Sequence, residues 1–468
     1  MNAARTFRRL LLWPLAAILG LTLVAYLGLL LLNWRDEPPS VGALQLDAIY
    51  RERAVPADAD NAYPYLMGFT AAAGQDPTEQ GLKRIAWARE ALQQPWTDEL
   101  VEPERDHFID FPSMRSPSLR VLLQSCTHNE PGCTPGLLAD GNLVERWLAS
   151  EALLLERYSG LLRHSAYFEP LPYDPRLRFP EYQQVLDGQR LLLIRAWWLA
   201  RQGEEWQVRQ LLEDDLSFWR MALANADLLI VKMVASTAIK QHFFWGNRAL
   251  KQLPAAQALG GIPQSWQQPL TFEERSLLRA AGGELMFVER YIKQIAQGQV
   301  DWVAGYGASS SMQRALMTLG APFLLVQATS NRQAQFLLDL EQAFAVPYAQ
   351  LEQARERATQ LRRLYRPEPL RLAHLYNLMG NVLHAQKDSH DYYSDYFLRA
   401  AELEGIRQTA LLLATLRSQG STGATLEAAV QQAALRNPYN QKPFDWDADT
   451  GTLGFPSPGR DEVYRLEY

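Results

Sequence analysis

Residues 191–219 read LLLIRAWWLARQGEEWQVRQLLEDDLSFW, and their pattern sets the expectation for the whole chain. Leu, Ile and Trp recur at helical spacing up to Arg201, residues 202–204 (Gln-Gly-Glu) interrupt them, and a second apolar stripe begins at Trp206. A Gly just after the last periodic residue is typical of a helix C-terminus. The stretch is therefore predicted to form a helical hairpin.

Helical periodicity continues on both sides of this hairpin, and β-branched alternation is nearly absent until the C-terminal end. The chain is therefore predicted to be mainly α. Its helices are expected to stack in a solenoid-like domain over residues 140–404. The predicted helices cover residues 181–201, 204–224, 226–252, 271–298, 312–327, 331–364, 370–386 and 391–418.

The hairpin resembles one tetratricopeptide-type unit, because small residues in its first helix precede a Gly turn and a large aromatic opens its second helix. Two further copies at a 34-residue period are not found, although a true array needs at least three. The resemblance covers about a tenth of the chain. It implies an α-helical stack and no ligand.

An uncharged apolar run of 23 residues, Leu10–Leu32, precedes everything else. As a helix it is about 34 Å long, which is enough to cross a bilayer. The run follows Arg5, Arg8 and Arg9, so the positive-inside rule keeps residues 1–9 in the cytoplasm. A cleaved signal peptide is the alternative, but its apolar part is about 7–15 residues long and ends in a small-residue cleavage site.

No second uncharged apolar run reaches about 18 residues, so a single-pass protein is predicted. We expect an inner-membrane protein of a Gram-negative bacterium, with residues 10–32 as its anchor and the C-terminal domain in the periplasm. Pairing of the anchor with another membrane helix is a further hypothesis. The small residues along it are Ala16, Ala17, Gly20 and Gly28.

The exported region is acidic. The whole chain carries −6, and removal of the three cytoplasmic Arg leaves 43 basic against 52 acidic residues, or −9. Nucleic acid and anionic lipid surfaces both favour clustered Lys and Arg, so neither is expected as the main partner. No Walker loop or G-x-G-x-x-G fingerprint is present, so no nucleotide is expected either.

Residues 33–139 form a Pro-rich region that permits only short helices. It contains both cysteines of the chain, Cys126 and Cys133, on either side of an Asn-Glu-Pro-Gly turn sequence. A disulfide between them is predicted in an oxidising compartment. Two free thiols are the main alternative, and a metal role is disfavoured because no matching second pair of cysteines exists.

The C-terminal region, residues 405–468, is predicted to contain two helices at 405–418 and 425–436, followed by a β-hairpin with its turn at 449–452. Together the helices and hairpin form a small α+β tail. After the second helix, residues 437–446 read NPYNQKPFDW, and residues 457–461 (SPGRD) form a loop.

This order resembles a tail in uncharacterised single-pass envelope proteins of Gram-negative bacteria, and more loosely the globular end of the major type II secretion pseudopilin. Asn437, Asn440 and Phe444 stand where those tails have Asp, Gly and Leu or Tyr. The resemblance implies no activity. Assembly into a pilus is not expected, because a pseudopilin is far shorter and begins with a different anchor.

Imidazole and carboxylate groups cluster in the sequence between residues 374 and 391. Such groups could bind zinc, but the spacing is not H-E-x-x-H. Asp and Ser before a helix more often cap its N-terminus, so we interpret the cluster as capping residues and expect no metal or cofactor. The cluster comprises His374, His384, Asp388, His390 and Asp391.

Residues Thr271 and Glu274 have capping-box spacing, so their polar groups are assigned to a helix start. The serines at 309–311 lack the G-x-S-x-G pattern, and Ser236 and Lys240 have the wrong spacing for S-x-x-K. The aromatic residues at helical spacing are interpreted as core. They include Trp197, Trp198, Trp206, Trp219, Phe243, Phe244 and Trp245.

With no coherent catalytic set, an interaction or scaffold role in the cell envelope is predicted, with an envelope protein as partner. The alternative is an anchored hydrolase or lyase that acts on peptidoglycan or another glycan through a buried carboxylate. A deep pocket around an acid with a raised pKa would favour the enzyme, and a broad apolar groove the scaffold. The acids considered are Glu151, Glu156, Glu284 and Glu289.

Overall fold

The computed structural model describes residues 2–94, 141–171, 173–174, 176–297, 318–366, 374–386, 389–460 and 462–468. Side chains of residues 2–11 and 386–392 are not described. The chain is mainly helical, with 69% helix, 4% strand and a small C-terminal sheet. The mainly α prediction is thereby confirmed, whereas solenoid-like stacking and the division into domains stay predictions.

The described helices and strands are numbered here in chain order. They are α1 Asn2–Leu32, α2 Val41–Arg51, α3 Ala62–Met67, α4 Pro77–Ala91, α5 Gly141–Ser150, α6 Ala152–Leu161, α7 Tyr182–Arg201, α8 Glu205–Asn225, α9 Leu229–Gln252, α10 Ala255–Ala258, α11 Gln264–Gln267, α12 Phe272–Arg275, α13 Leu278–Ala296, α14 Val326–Phe344, α15 Leu351–Tyr365, α16 Leu378–Gln386, α17 Ser389–Ser418, α18 Gly423–Gln432, β1 Asp445–Asp447, β2 Thr452–Pro456 and β3 Val463–Glu467. Single 3₁₀ turns lie at Ala321–Phe323 and Tyr348–Gln350.

The predicted hairpin is formed by α7 and α8. Gly203 has φ +78, and its N–H donates to Ala200 O at 3.0 Å while Glu204 N–H donates to Leu199 O at 3.0 Å. This pair of bonds is a Schellman motif, which satisfies the last carbonyls of α7 and reverses the chain. The Gly that marks the turn in the sequence is therefore required by its backbone conformation.

Helix α9 lies at the centre of the larger hydrophobic core, where it packs against α7, α8 and α17. Most of its residues are buried, polar ones among them, so these polar residues must find partners inside the protein. Most of the predicted core aromatics are buried there. Trp206 is the exception, because its side chain is 72% exposed.

A second core lies among α2, α13, α14, α15 and the first half of α17. The second half of α17 belongs to the larger core. This helix therefore joins the two cores, and it runs without a break through the expected boundary at residue 404.

Four predicted helices are wrong in their extent. The helix expected at 312–327 is interrupted at residues 324–325, and the α-helix expected at 370–386 begins at Leu378. The helix expected at 331–364 is interrupted after Phe344, and α15 starts at Leu351. Pro347 lies in the gap, where its ring cannot continue a helix. The helix expected at 271–298 divides at Ser276, although the capping box of Thr271 and Glu274 is present as predicted.

The C-terminal sheet is antiparallel with strand order β1-β2-β3. The predicted hairpin corresponds to β1 and β2, with Gly451 at φ +63 in the turn, whereas β3 was not predicted. The sheet is tied to α17 by Tyr439, whose hydroxyl donates to Ala401 O at 2.9 Å and accepts from Gly405 N at 3.0 Å.

Helix α1 contains one stretch, Leu12–Leu32, that is long and apolar enough to cross a membrane. No other described helix passes the same test of length and composition. The stretch lies within the apolar run predicted as the anchor. Orientation and compartment stay predictions.

A very close approach of α3 and α4 yields a testable prediction. A Cβ at Gly81 would lie 1.6 Å from Pro64 O, so Gly81→Ala must push the two helices apart. We expect it to lower the free energy of unfolding by about 1–3 kcal/mol. Thermal unfolding of the full-length protein in detergent, followed by circular dichroism, measures the effect.

The matched control is Ala86→Ser, an exposed position on the same helix, which should change stability by less than about 0.5 kcal/mol. Equal melting temperatures for Gly81→Ala and Ala86→Ser would contradict the close packing of α3 on α4.

Candidate functional site

The segment between α6 and α7 carries the strongest candidate site. Asn61 holds it in place, since the Asn61 side chain donates to Phe168 O at 2.9 Å and accepts from Phe168 N at 2.9 Å. Further along, the carboxylate of Asp174 binds the guanidinium of Arg176 at 2.9 Å and that of Arg290 at 3.2 Å. The segment is therefore fixed to both α3 and α13.

Glu169 is the key acid of this segment, and its side chain is buried among tyrosines. Tyr167 donates to its carboxyl at 3.2 Å and lies 3.2 Å from the hydroxyl of Tyr182, and Tyr173 lies beside the same carboxyl. Burial raises the pKa of Glu169 to about 8, and the nearby negative charge of Asp227 acts in the same direction. Glu169 is therefore protonated at neutral pH.

Asp227 is the second acid, and it lies between two arginines. Arg53 forms an ion pair with one carboxylate oxygen, and Arg279 Nε lies 2.7 Å from the other. The Arg53 guanidinium also stacks over Tyr50 and Phe168, at 4.2 and 4.5 Å from the ring centres. Burial raises the pKa of Asp227, while the two arginines oppose this shift.

The two residues are neighbours, because the backbone N–H of Glu169 donates to the carboxylate of Asp227. Their surroundings differ, since tyrosines surround Glu169 and arginines surround Asp227. Such a pair combines a proton donor with a carboxyl group bound by two arginines, which acid–base chemistry can use. However, Glu169 is only 2% exposed, so a substrate would reach it only if the segment moved.

A second polar site joins the end of α1 to the rest of the protein. Asn33 Nδ2 donates to Leu375 O at 3.0 Å, and Asn33 Oδ1 accepts from Asn377 N at 2.6 Å. Asn377 has φ +52, a conformation that Asn tolerates better than most residues. The first residue after the apolar stretch is therefore bonded to the chain just before α16.

Asp36 makes the next contact of this site. Its two carboxylate oxygens accept from Gln327 N at 2.7 Å and Ala328 N at 2.9 Å. These N–H groups lie in the first turn of α14 and have no hydrogen-bond partner within the helix. Asn331 then donates to Pro38 O at 3.0 Å. We call this set of contacts between residues 33–40 and residues 325–377 the anchor junction.

The most deeply buried polar network joins α6, α7, α8, α9 and α11. His242 Nδ1 lies 2.7 Å from Asp215, which also accepts from Tyr158 and from Gln189 at 3.0 Å. The indole N–H of Trp266 donates to His242 Nε2 at 2.7 Å, so the imidazole carries its proton on Nδ1. Both ring nitrogens are thus used inside the core, and the pair has a structural role.

Lys232 is another buried charge-bearing group. Its ammonium group donates to Ser276 O and, at 3.0 Å, to Glu273 O. Burial lowers the pKa of Lys232 to about 7, and Glu341 and Glu274 oppose this shift. The lysine therefore binds the carbonyls at the end of α12 and is not directed into a site.

The four acids considered from the sequence are not brought together. Glu151 is buried at the boundary between α5 and α6, and Glu156 is exposed. Glu284 accepts from Leu229 N at 3.0 Å and so caps α9, and Glu289 pairs with Lys293 on the surface.

Some of the other candidate residues make contacts within the fold, and the rest lie outside the residues that the structure describes. His384 is buried, with Nε2 at 3.4 Å from Thr329 O. No group of three His, Cys, Asp or Glu that could hold a metal ion occurs in the described ranges.

Ser236 donates to Lys232 O at 2.8 Å, and Lys240 pairs with Glu402. The remaining candidates lie outside the described residues or have undescribed side chains, namely Cys126, Cys133, Ser309, Ser310, Ser311, Asp388, His390 and Asp391.

Sequence reasoning missed Glu169, Asp227 and Arg53. Glu169 lies in an irregular stretch, YFEPLPYDP at 167–175, in which aromatic residues alternate with acids and prolines. Aromatic residues beside an acid outside a helix were the available signal, because they can bury the acid.

Comparison of this chain with protein-family models, with curated proteins and with solved structures finds no match in any of the three.

The raised pKa of Glu169 predicts a pH-dependent stability. The unfolded carboxyl loses its proton near its ordinary value of 4.5, and the folded one near 8. Between these values the folded state binds more protons, so this group makes the free energy of unfolding fall as pH rises. Glu169→Gln cannot ionise, so its stability should fall less than that of the wild type between pH 5 and pH 8.

Denaturant unfolding at pH 5, 6, 7 and 8 measures this difference. Glu156→Gln is the control, because Glu156 is exposed and its substitution should leave the wild-type pH dependence unchanged. If the curves of Glu169→Gln and the wild type run parallel, Glu169 is ionised in the folded protein and the assignment is wrong.

Proposed function

We propose that this protein is a single-pass inner-membrane protein of Gram-negative bacteria whose periplasmic helical domain serves as an interaction or scaffold element of the cell envelope. The apolar stretch Leu12–Leu32 supports the anchor by its length and composition. The exported region carries −9, which favours a protein partner over nucleic acid or an anionic lipid surface.

The anchor junction is the observation that carries the proposal. A domain on a flexible linker would turn freely above the membrane. Here Asn33 directly follows α1, Asp36 is the fourth residue after the helix, and Asp36 caps a helix of the domain itself. The domain is therefore held in one orientation to the anchor, which suits a protein that positions partners at the membrane.

The buried polar groups support the same proposal. The acid of the Asp215–His242 pair and the ammonium of Lys232 bind other groups of this chain. Such satisfied networks make a core rigid. A rigid helical surface, on which solenoid-like stacking would provide a continuous face, suits binding of a protein partner.

Glu169 and Asp227 favour a second candidate function, the anchored hydrolase or lyase acting on a glycan. A carboxylic acid with a raised pKa near a second carboxyl group is the kind of pair that such chemistry uses. With a pKa of about 8, Glu169 would stay a proton donor up to about that pH.

Site-specific photocrosslinking in intact cells tests the scaffold proposal. A benzophenone amino acid replaces Trp206 or Leu259, two residues whose side chains are 72% and 60% exposed. We expect one and the same crosslinked partner from at least one of these positions. Asp36→Ala removes the cap that orients the domain, so it should reduce the crosslinked fraction several-fold without loss of the protein from the membrane.

The control for Asp36→Ala is Asp47→Ala, which removes an acid of a surface ion pair with Arg51 and should leave the crosslink unchanged. If neither position gives a crosslinked species above the level seen without irradiation, the scaffold proposal is contradicted. If Asp36→Ala and the wild type give equal crosslinked fractions, the anchor junction does not orient the domain for its partner.

Digestion of purified peptidoglycan tests the second candidate. If the protein is a hydrolase or lyase, the wild type releases soluble fragments, and both Glu169→Gln and Asp227→Asn reduce the release at least a hundredfold. Glu156→Gln should keep full activity. Absence of any release by the wild type rules out peptidoglycan as the substrate and favours the scaffold.

A further inference from the structure

The last turns of the apolar stretch are in contact with the domain. Tyr26, Leu29 and Leu30 lie within Leu12–Leu32, yet all three pack on a small hydrophobic cluster of the domain. The buried members of this cluster are Ile292, Ile295, Phe323, Leu324 and Met379.

Tyr26 makes the most specific of these contacts. Its hydroxyl donates to Leu319 O at 3.2 Å, and its ring meets the ring of Phe323 edge to face, with 5.4 Å between the centres. The anchor helix thus supplies both an apolar neighbour and a hydrogen-bond partner to residues 319–323. A carbonyl that has left water needs such a partner.

The position of Tyr26 along the helix gives its depth. The stretch Leu12–Leu32 has 21 residues. At 1.5 Å per residue it is about 31 Å long, close to the thickness of about 30 Å of a bilayer's hydrocarbon core. Tyr26 lies six residues before the end, or about 9 Å along the helix axis. The residues that touch Tyr26 lie at nearly the same depth.

The uncovered side of the same turns is apolar as well. Leu27, Leu31 and Leu32 are 49%, 77% and 47% exposed. Withdrawing them into water to raise the domain would cost hydrophobic free energy on every one of them. Leu319 is 54% exposed, and Trp34, directly after the stretch, is 77% exposed, as is common for Trp at a membrane interface.

We propose that the domain dips into the outer part of the bilayer beside its own anchor, with Leu319 in contact with lipid acyl chains. The inference rests on the proposed anchoring by α1. The juxtaposition of Tyr26 with Leu319 and Phe323 carries it, because the anchor cannot be fully immersed without taking these residues with it. The partner of this surface is the lipid bilayer.

Depth-dependent fluorescence quenching of the full-length protein in phosphatidylethanolamine–phosphatidylglycerol vesicles tests the proposal. A genetically encoded environment-sensitive fluorophore replaces Leu319, Leu23 or Leu364 in separate preparations. All three leucines are more than half exposed, and they lie beside the anchor, in the anchor and on α15 respectively. Brominated acyl chains quench probes in lipid, and iodide quenches probes in water.

For the probe at residue 319 we expect strong quenching by brominated lipid and iodide quenching at least fivefold weaker than at residue 364. The probe at residue 23 should report lipid, and that at residue 364 water. If residue 319 behaves like residue 364 while residue 23 reports lipid, the domain lies above the bilayer and the inference is wrong. If residue 23 also reports water, α1 is not a membrane anchor, and the proposed function fails with it.

Discussion

The contact between His242 and Asp215 is the interaction on which the larger core depends. It joins α8 to α9 where both side chains are fully buried, and Trp266 and Tyr158 complete the bonding of the pair. Removing either partner would leave a buried polar group unpaired, at a cost of about 1–3 kcal/mol or more. Helix α9 can therefore be largely buried although it carries Lys232, Gln241 and His242.

Most of the helical fold was predictable from the sequence, because apolar residues at helical spacing determine where α7, α8 and α9 lie and Gly203 marks the turn between the first two. Helix ends that depend on distant groups were not predictable. The capping box of Thr271 correctly announced a helix start, yet α12 ends after one turn at Arg275. Lys232, about forty residues earlier, binds the carbonyls at that end, and no local pattern contains this contact.

The candidate site was less predictable than the fold. Its acids and Arg53 come from three distant parts of the chain, and what matters chemically is their burial, which a carboxylate in a sequence does not show. Helix periodicity drew attention to acids on helices, such as Glu284, whereas Glu169 lies in an irregular segment. The same features support two functions, since a buried acid pair can stabilise a scaffold or supply a proton. The two functions differ in whether a substrate can reach Glu169.

The anchor junction also has a consequence for the order in which the protein is made. Asn33 and Asp36 are synthesised first, but their partners follow about 290 to 340 residues later. At 5–20 residues per second, translation takes roughly 15 to 70 seconds to reach those partners. During this interval α1 is already complete while α14 does not yet exist. Closure of the junction is therefore a late step of biogenesis, and it requires synthesis of the chain to at least Asn377.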